Sequence, residues 1–162
     1  MAKQIQPDKT IMTNRRARHE YHIEDEYEAG IVLTGTEVKS IRDGKINLQD
    51  AFCDIRSDGA YLIGAHISPY SHGGQYFNHE PVRGRRLLLH SREIKKMARA
   101  KEQKGYTLVP LSVYLKNKRI KIAIGVAKGK KLYDKRETIA ERDSARELDR
   151  VRKSSRRSDD DD

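Results

Sequence analysis

The sequence has no tryptophan, a single cysteine and only two phenylalanines among its 162 residues. Cys53 cannot form an internal disulfide, and no Cys-x-x-Cys pair is present to hold a structural zinc ion. Because Cys53 lies next to Phe52 and near Ile55 in an apparent strand, we expect a small buried side chain rather than a reactive thiol. We therefore expect no metal and no cofactor.

Long apolar runs are also absent. The longest stretch without a charged side chain, residues 59–79, contains Gly, His, Ser, Asn and Pro, whereas a membrane-spanning helix needs about 20 mostly apolar residues. The first residues, Met-Ala-Lys-Gln-Ile-Gln-Pro, lack the apolar core of a secretory signal. We therefore expect a cytoplasmic protein that does not associate with a membrane.

Charge is abundant and unbalanced. Charged residues make up 36% of the chain, and 34 Lys and Arg against 24 Asp and Glu give a net charge of +10. This excess predicts a polyanionic partner, with nucleic acid favoured over an anionic membrane surface. Residues 1–130 hold 24 basic and 14 acidic residues, residues 131–157 hold 10 and 6, and residues 159–162 are four Asp.

The front segment has the alternation of apolar residues that is typical of strands. Apolar residues recur at every second position from Val109 to Leu115 and again from Ile120 to Val126. The short Asn-bearing connection between the two runs predicts a β-hairpin with one buried and one basic face. Further strands are predicted at Tyr21–Ile23, Gly30–Ile41, Ala51–Ile55, Ala60–Ile67 and Arg85–Leu89.

One clear helix is predicted among these strands. Ser91 is a candidate N-cap, Ile94 and Met97 share a face, and Gly105 is placed to end the helix. Asn14 is a candidate cap for a short helix through Arg18. Because strands outnumber helices and short loops join them, we predict a mainly β fold, either an antiparallel barrel or a strongly twisted sheet with a helix at one end.

The segment from Lys131 onward has too few apolar residues for a core, so we predict a basic C-terminal tail that is disordered or helical. On a helix, six basic residues would fall within about 80° of arc. A polyanion would relieve their mutual repulsion, so the tail is expected to fold on RNA; a solvated, charged tail without a partner is the alternative. The six are Lys135, Arg142, Arg146, Arg150, Lys153 and Arg157.

Catalytic motifs are weak. The spacings of the six His match no metal motif, and no glycine-rich loop has the residues of a phosphate-binding loop. The acidic cluster in residues 24–28 is of a type that can hold Mg²⁺ or transfer protons. It is close in sequence to the arginines of residues 15–18, so charge pairing is favoured. We expect a protein that is not an enzyme, with a metal-dependent nucleic-acid-processing enzyme as the alternative.

Six ordered blocks closely resemble the SsrA-binding protein (SmpB) family. They are residues 14–23 (NRRARHEYHI), 27–42 (YEAGIVLTGTEVKSIR), 44–50 (GKINLQD), 85–94 (RRLLLHSREI), 105–111 (GYTLVPL) and 125–136 (GVAKGKKLYDKR). The resemblance implies an OB-like antiparallel β-barrel with a few helices. It also implies an RNA-binding domain at residues 1–130, with residues 1–13 flexible, and a basic tail at residues 131–162 that is helical on the ribosome.

The function implied by the resemblance is trans-translation. Such a protein binds the tRNA-like domain of transfer-messenger RNA and delivers it to stalled ribosomes, where the nascent peptide is tagged. Its partners would be transfer-messenger RNA, the small-subunit rRNA at the decoding centre and messenger channel, and, indirectly through the charged RNA, elongation factor Tu. We expect a monomer. A generic RNA-binding barrel, which would not need the tail for function, is the alternative.

Site residues follow from the same resemblance. RNA contacts are implied at Asn14, Glu28, Leu88, His90 and Lys121. Further basic candidates for RNA binding are Arg15, Arg18, Lys39, Arg42, Arg86, Lys128 and Lys130. In the tail, Tyr133, Asp134, Lys135 and Arg136 would lie at the decoding centre, with Arg142, Arg146, Arg150 and Lys153 in the messenger channel.

Two of these residues have simpler explanations. The Glu28 carboxylate can accept a hydrogen bond from a base amine or a ribose 2′-OH group of an RNA. A surface salt bridge is the simpler explanation for a glutamate at this position. Lys121 is on the polar side of its predicted strand, so it is either a phosphate ligand or a solvated lysine. Some relatives have His at the position of Tyr133. The Tyr133 ring can still stack on a ribosomal base, but an acid–base role at this position is less favoured than with His.

Overall fold

A computed structural model describes residues 5–74, 76–130 and 140–152 of the chain. The chain forms two units, residues 1–129 and residues 130–162. None of the helices in the described ranges is long and apolar enough to cross a membrane. The elements of the first unit are β1 (Lys9–Thr13), α1 (Arg15–Glu20), β2 (Tyr21–Ile31), α2 (Gly35–Arg42), β3 (Ile46–Asn47), β4 (Phe52–Arg56), β5 (Gly59–Ile63), β6 (His66–Ile67), β7 (Arg85–Leu88), α3 (Ser91–Glu102), β8 (Tyr106–Lys116) and β9 (Arg119–Gly129).

Seven strands form one antiparallel sheet in the order β1-β8-β9-β2-β7-β5-β4, and β3 pairs with β6 separately. The prediction of a mainly antiparallel β fold is confirmed. The closed barrel is not, because no ladder in the described part of the chain joins the outer strand β4 to the other side of the sheet. Instead β4 approaches β8, and α3 packs against both strands. Side-chain packing therefore joins the two sides of the sheet where a barrel would have hydrogen bonds.

The predicted β8–β9 hairpin is the longest pairing in the sheet. Its register runs from Tyr106 opposite Lys128 to Lys116 opposite Arg119. Asn117 and Lys118 form the two-residue turn with φ of 51° and 63°. Two successive positive φ angles are the requirement of a type I′ turn, which matches the twist of the strands and which Asn favours.

The basic second face predicted for this hairpin is wrong over its central part. Ile122, Ile124 and Val126 enter the main core, whereas Ala123 and Ala127 on the opposite face enter a second buried cluster. Gly125 also lies on that face, and a Cβ there would come within 2.9 Å of Leu111. Small residues allow α1 and the neighbouring strands to cover this side, so β9 is buried on both faces.

The extended run predicted at Gly30–Ile41 is also wrong. β2 ends at Ile31, and α2 begins at Gly35 after the N-cap Thr34. Thr34 N–H donates to Glu37 Oε1 at 2.9 Å, and the Thr34 hydroxyl accepts from Glu37 N–H, which together form a capping box. The Thr-x-x-Glu signature was therefore present, but the β-branched residues around it favoured a strand.

The N-terminal segment differs from its prediction as well. Residues 1–13 were expected to be flexible, but residues 9–13 form β1 and pair with β8. Two further hydrogen bonds fix Asp8: its N–H donates to Leu115 O at 2.9 Å, and its carboxylate accepts from Asn117 N–H at 2.8 Å. The partner strand lies about a hundred residues away along the chain, so local sequence gives no sign of this pairing.

A buried ion pair between Glu37 and Arg85 connects α2 to β7. Both side chains are 0% exposed, and Arg85 Nε donates to Glu37 Oε2. Arg85 also donates to Ala65 O at 2.8 Å and to Pro81 O at 3.1 Å, while Arg83 donates to the other Glu37 oxygen. Burial alone would raise the pKa of Glu37, but hydrogen bonds from Thr34, Arg83 and Arg85 outweigh burial and lower it.

Because Arg85 is buried, it determines which side chains of β7 point into the core and which point to the surface. Arg85 and Leu87 point inward, so Arg86 and Leu88 are exposed on the other face. Two adjacent arginines therefore have opposite environments, one in the core and one at the surface.

We expect Arg85→Met to lower the free energy of unfolding by about 3–5 kcal/mol, because it removes a partner from a buried carboxylate. The matched change Arg86→Met should cost less than about 1 kcal/mol, because exposed ion pairs and surface hydrogen bonds contribute little. Urea denaturation of the two variants beside the unaltered protein measures both values. Equal losses would show that the buried pair does not hold β7 in place.

Candidate nucleic-acid interface

A groove of about 680 Å³ opens on the sheet where β2, β7 and β9 lie side by side and α3 begins. Five of the RNA-binding candidates named from the sequence line it. They come from β2, β7, β9 and the N-cap of α3, which are far apart in sequence: Glu28, Arg86, Leu88, His90 and Lys121.

Strand register explains this convergence. Gly30 of β2 is opposite Leu88 on one side and opposite Lys121 on the other. Glu28 is two residues before Gly30 on the same strand, so it has the same facing. A Cβ on Gly30 would lie 3.2 Å from Leu88 Cβ, so the glycine gives the leucine room beside β2. Gly30 was not among the predicted site residues; its i, i+2 spacing from Glu28 was the signal that could have identified it.

Glu28 is held by two donors on β8. Tyr114 Oη donates to Glu28 Oε2 at 2.7 Å, and Lys116 Nζ lies 3.2 Å from both carboxylate oxygens. Partial burial works to raise the pKa of Glu28, but these hydrogen bonds and the charges of Lys116 and Lys121 lower it overall. The salt bridge considered for Glu28 is therefore present, and a carboxylate has lone pairs left for a further donor. Tyr114 was missed by sequence reasoning: it lies between Val113 and Leu115, on the face that the alternation left outside the core, yet it is 1% exposed.

The groups beside Glu28 are open to solvent. Leu88 is 55% exposed, which is unusual for a leucine in the middle of a sheet, and the His90 side chain is 89% exposed. The Lys121 side chain makes no hydrogen bond with any described residue. Arg86 is exposed too, with Nη2 donating to Asp58 O at 2.9 Å. An apolar side chain, an imidazole and a guanidinium thus face solvent together, beside the half-buried Lys121.

The groove has mixed charge rather than a uniformly basic lining. Asp25, Glu26, Asp58 and Glu93 also line it. The carboxylates have nearby donors: Tyr27 Oη donates to Asp25 at 3.1 Å, and Arg18 lies 3.3 Å from Glu26. The predicted pairing of the acidic cluster with neighbouring arginines therefore holds for Arg18 and Glu26.

Among the described residues, no group of three or more His, Cys, Asp or Glu could hold a metal ion.

Asn14 does not lie in the groove. It is 7% exposed, and its amide nitrogen donates to Leu48 O at 3.2 Å and Pro110 O at 2.9 Å. Its oxygen accepts from Ala17 N–H at 3.2 Å and caps α1. The prediction of a direct RNA contact by the Asn14 side chain is therefore not supported; this side chain positions α1 on the sheet.

The other basic candidates are spread over the surface. Arg15 is exposed on α1, and Lys39 and Arg42 are exposed on α2. Lys128, near the end of β9, lies 5.7 Å from the centre of the Tyr106 ring, and Lys130 follows that strand.

In the second unit, residues 140–152 are helical. Arg142, Arg146 and Arg150 are exposed and spaced by four residues, so they share one face of the helix. Five other tail candidates lie outside the described residues: Tyr133, Asp134, Lys135, Arg136 and Lys153. Arg157 of the predicted basic face does so as well.

We expect Tyr114→Phe to lower the free energy of unfolding by about 1.5–3 kcal/mol near pH 7, because Glu28 loses a hydrogen bond to a charged group. The pKa of Glu28 is lower in the folded protein than its value of 4.5 in the unfolded chain. The ionised Glu28 therefore stabilises the fold above pH 4.5, and this stabilisation is lost as the pH falls through the folded pKa. The difference between variant and unaltered protein should therefore shrink as the pH falls below 4.5. Urea denaturation across this range checks it, and a difference independent of pH would contradict the role given to Glu28.

Comparisons with known proteins identify relatives over most of the chain. A family model described as SmpB protein matches residues 11–154. The SsrA-binding protein of Roseiflexus castenholzii is 54% identical over 146 residues, 90% of this chain and 92% of the relative. That of Trichodesmium erythraeum is 56% identical over 143 residues, 88% and 92% of the two chains.

A solved structure described as "tmRNA-SmpB: a journey to the center of the bacterial ribosome" contains a chain with the same fold. The TM-score is 0.64 at 46% sequence identity, over 75% of this chain and 85% of that chain. The family match and the sequence identities agree with the resemblance that the six sequence blocks carry, and the chain therefore belongs to the SmpB family.

Proposed function

We propose that this protein binds the tRNA-like domain of transfer-messenger RNA and delivers it to stalled ribosomes for trans-translation. The observation that carries the proposal is the groove, in which the strand register brings Glu28, Leu88 and Lys121 together beside His90. Relatives that are 54% and 56% identical over the aligned residues are SsrA-binding proteins. The protein acts as a binding factor rather than an enzyme, in the cytoplasm, where ribosomes are.

The groove residues have complementary tasks. Lys121 and Arg86 bind phosphate oxygens, which gives affinity, and exposed Leu88 packs against a sugar or base. Glu28, fixed by Tyr114 and Lys116, accepts a hydrogen bond from a base amine or a ribose 2′-OH. Because both cations and carboxylates line the groove, an RNA must match their positions and not only supply negative charge. This favours one folded RNA over others.

The tail binds the ribosome in this proposal. Arg142, Arg146 and Arg150 share one helical face that fits the phosphates of an RNA-walled channel. Residues 133–136 act at the decoding centre of the small subunit, and elongation factor Tu takes part through the charged RNA. The first unit thus selects the RNA, and the second recognises the empty messenger channel.

We expect Lys121→Gln and Leu88→Ala each to weaken binding of the tRNA-like domain by roughly tenfold, since each loses about 1–2 kcal/mol of contact. Lys104→Gln is the matched control for lost charge: it is exposed and lies outside the groove. Binding is measured by filter retention at about 150 mM salt. If Lys104→Gln weakened binding as much as Lys121→Gln, the groove would not be the binding surface.

The tail and the groove should separate in function. Changing Arg142, Arg146 and Arg150 together to Gln should leave transfer-messenger RNA binding within about twofold but lower tagging of stalled peptides by about tenfold or more, because the channel contacts are lost. Deletion of residues 131–162 should act in the same direction. The control changes Lys95, Arg99 and Lys104 to Gln, which removes the same charge from exposed positions. Normal tagging by the tail variant, or its loss of RNA binding, would contradict the two-part account.

A further inference from the structure

The segment between β6 and β7 exposes two neighbouring aromatic side chains. Tyr76 is 88% and Phe77 83% exposed, more than any other large hydrophobic side chain in the described ranges. Neither residue lines the groove. Burying an aromatic side chain is strongly favourable, so two that remain uncovered beside each other indicate a surface with a partner.

Hydrogen bonds join the two ends of the loop that carries them. Tyr70 N–H donates to Asn78 Oδ1, and Asn78 Nδ2 donates back to Tyr70 O, both at 2.9 Å. This pair of bonds joins residues 70 and 78 and closes a compact loop. Gly73 lies at its centre, where a Cβ would be 3.0 Å from Asn78 Nδ2 and 3.3 Å from Thr36 Cγ2. These contacts tie the ends of the loop together and place Gly73 against α2.

The same loop is fastened to one face of α2. The His79 ring bonds to the Thr36 hydroxyl at 2.8 Å and to Ile67 O at 2.9 Å. One turn further along α2, Lys39 Nζ lies 5.2 Å from the centre of the Tyr70 ring. The two contacts are three residues apart on α2, so the loop lies along a single face of that helix.

This face of α2 is basic. Lys39 and Arg42 are exposed and three residues apart. Lys45 follows, also exposed, and its carbonyl accepts from Ser68 N–H at 3.1 Å at the start of the loop. Asp43 is the single acidic residue in residues 39–45. Cations thus flank the loop that carries the two aromatic side chains.

We propose that Tyr76 and Phe77, together with Lys39 and Arg42, form a second RNA-binding surface, which takes unpaired bases. We call these four residues the aromatic platform. Aromatic rings flanked by Lys and Arg are the combination that single-stranded RNA requires, because bases stack on the rings while the cations bind phosphates. Stacking does not depend on base identity, so the platform accepts any unpaired stretch, unlike the groove.

The charge of the site favours RNA over a protein partner. The centres of protein interfaces are depleted of lysine, whereas Lys39, which lies over the Tyr70 ring of the loop, and Arg42 are exposed on the helix that the loop packs against. The platform goes beyond the proposed function, since it needs neither the groove nor the tail. It gives Lys39 and Arg42 a common role with exposed aromatic residues that the sequence analysis did not single out.

A tryptophan reporter tests the platform directly, because the chain has no tryptophan of its own. The tryptophan emission of Phe77→Trp in the full chain should fall when a 12-nucleotide oligouridylate is added. The titration is done at about 50 mM salt, because phosphate contacts weaken steeply as the salt concentration rises. Phe52→Trp is the control, since Phe52 is 43% exposed on β4, outside the loop. Quenching of the Phe77→Trp emission alone supports the proposal. No quenching, or equal quenching at both positions, overturns it.

Affinity provides the second measurement. Changing Tyr76 and Phe77 together to Ala should weaken oligouridylate binding by about 5- to 150-fold for each base that stacks, whereas Phe52→Ala should leave it unchanged. Binding of the tRNA-like domain, measured on the same variants, reports the groove separately, so its failure would count against the proposed function and not against the platform. Unchanged oligouridylate affinity overturns the platform. The proposal is also overturned if the emission of Phe77→Trp changes with protein concentration and not with RNA, because the two aromatic side chains would then form a self-association surface.

Discussion

The ion pair between Glu37 and Arg85 is the interaction on which the positions of the surface residues depend. Both side chains are fully buried, and each has further hydrogen bonds, so neither charge is left without compensation. The pair joins a helix that begins four residues after β2 to a strand that follows a long connection. Since Arg85 must point inward, Arg86 and Leu88 must point outward, into the groove. A polar contact in the core thereby determines which side chains an RNA can reach.

The helix α2 connects the two surfaces that we assign to RNA. Its first turn contributes Glu37 to the buried pair, which fixes β7 and hence one wall of the groove. Its exposed face holds the loop of Tyr76 and Phe77 through Thr36 and Lys39. In our proposals, selection of a folded RNA and stacking of unpaired bases therefore use different faces of the first unit. This arrangement suits a protein that has to contact two RNAs in succession, since neither contact requires the other to rearrange.

Sequence predicted what is local and missed what depends on distant partners. The β8–β9 hairpin and the helix capped by Asn14 follow from alternation and from a cap that lie within a few residues. The spacing also predicted α3, although its N-cap is His90 and not Ser91, and its C-cap is Gln103 and not Gly105. The strand β1 and the buried state of Asn14 depend on bonds across about a hundred residues. The open sheet depends on how α3 packs between strands. In the groove, the resemblance supplied the exposed residues, but Tyr114, which orients Glu28 from 86 residues away, has no local signature.

Binding of the unaltered protein to three RNAs tests the central claim most directly. The tRNA-like domain of transfer-messenger RNA, an ordinary tRNA and an unrelated stem-loop of equal length would be compared at about 150 mM salt, where exposed charges are largely screened. The mixed charge of the groove predicts a preference of at least about a hundredfold for the first RNA, which corresponds to about 2.7 kcal/mol of selective contacts. Equal affinity for all three would contradict the account, because it would mean that net positive charge alone attracts RNA.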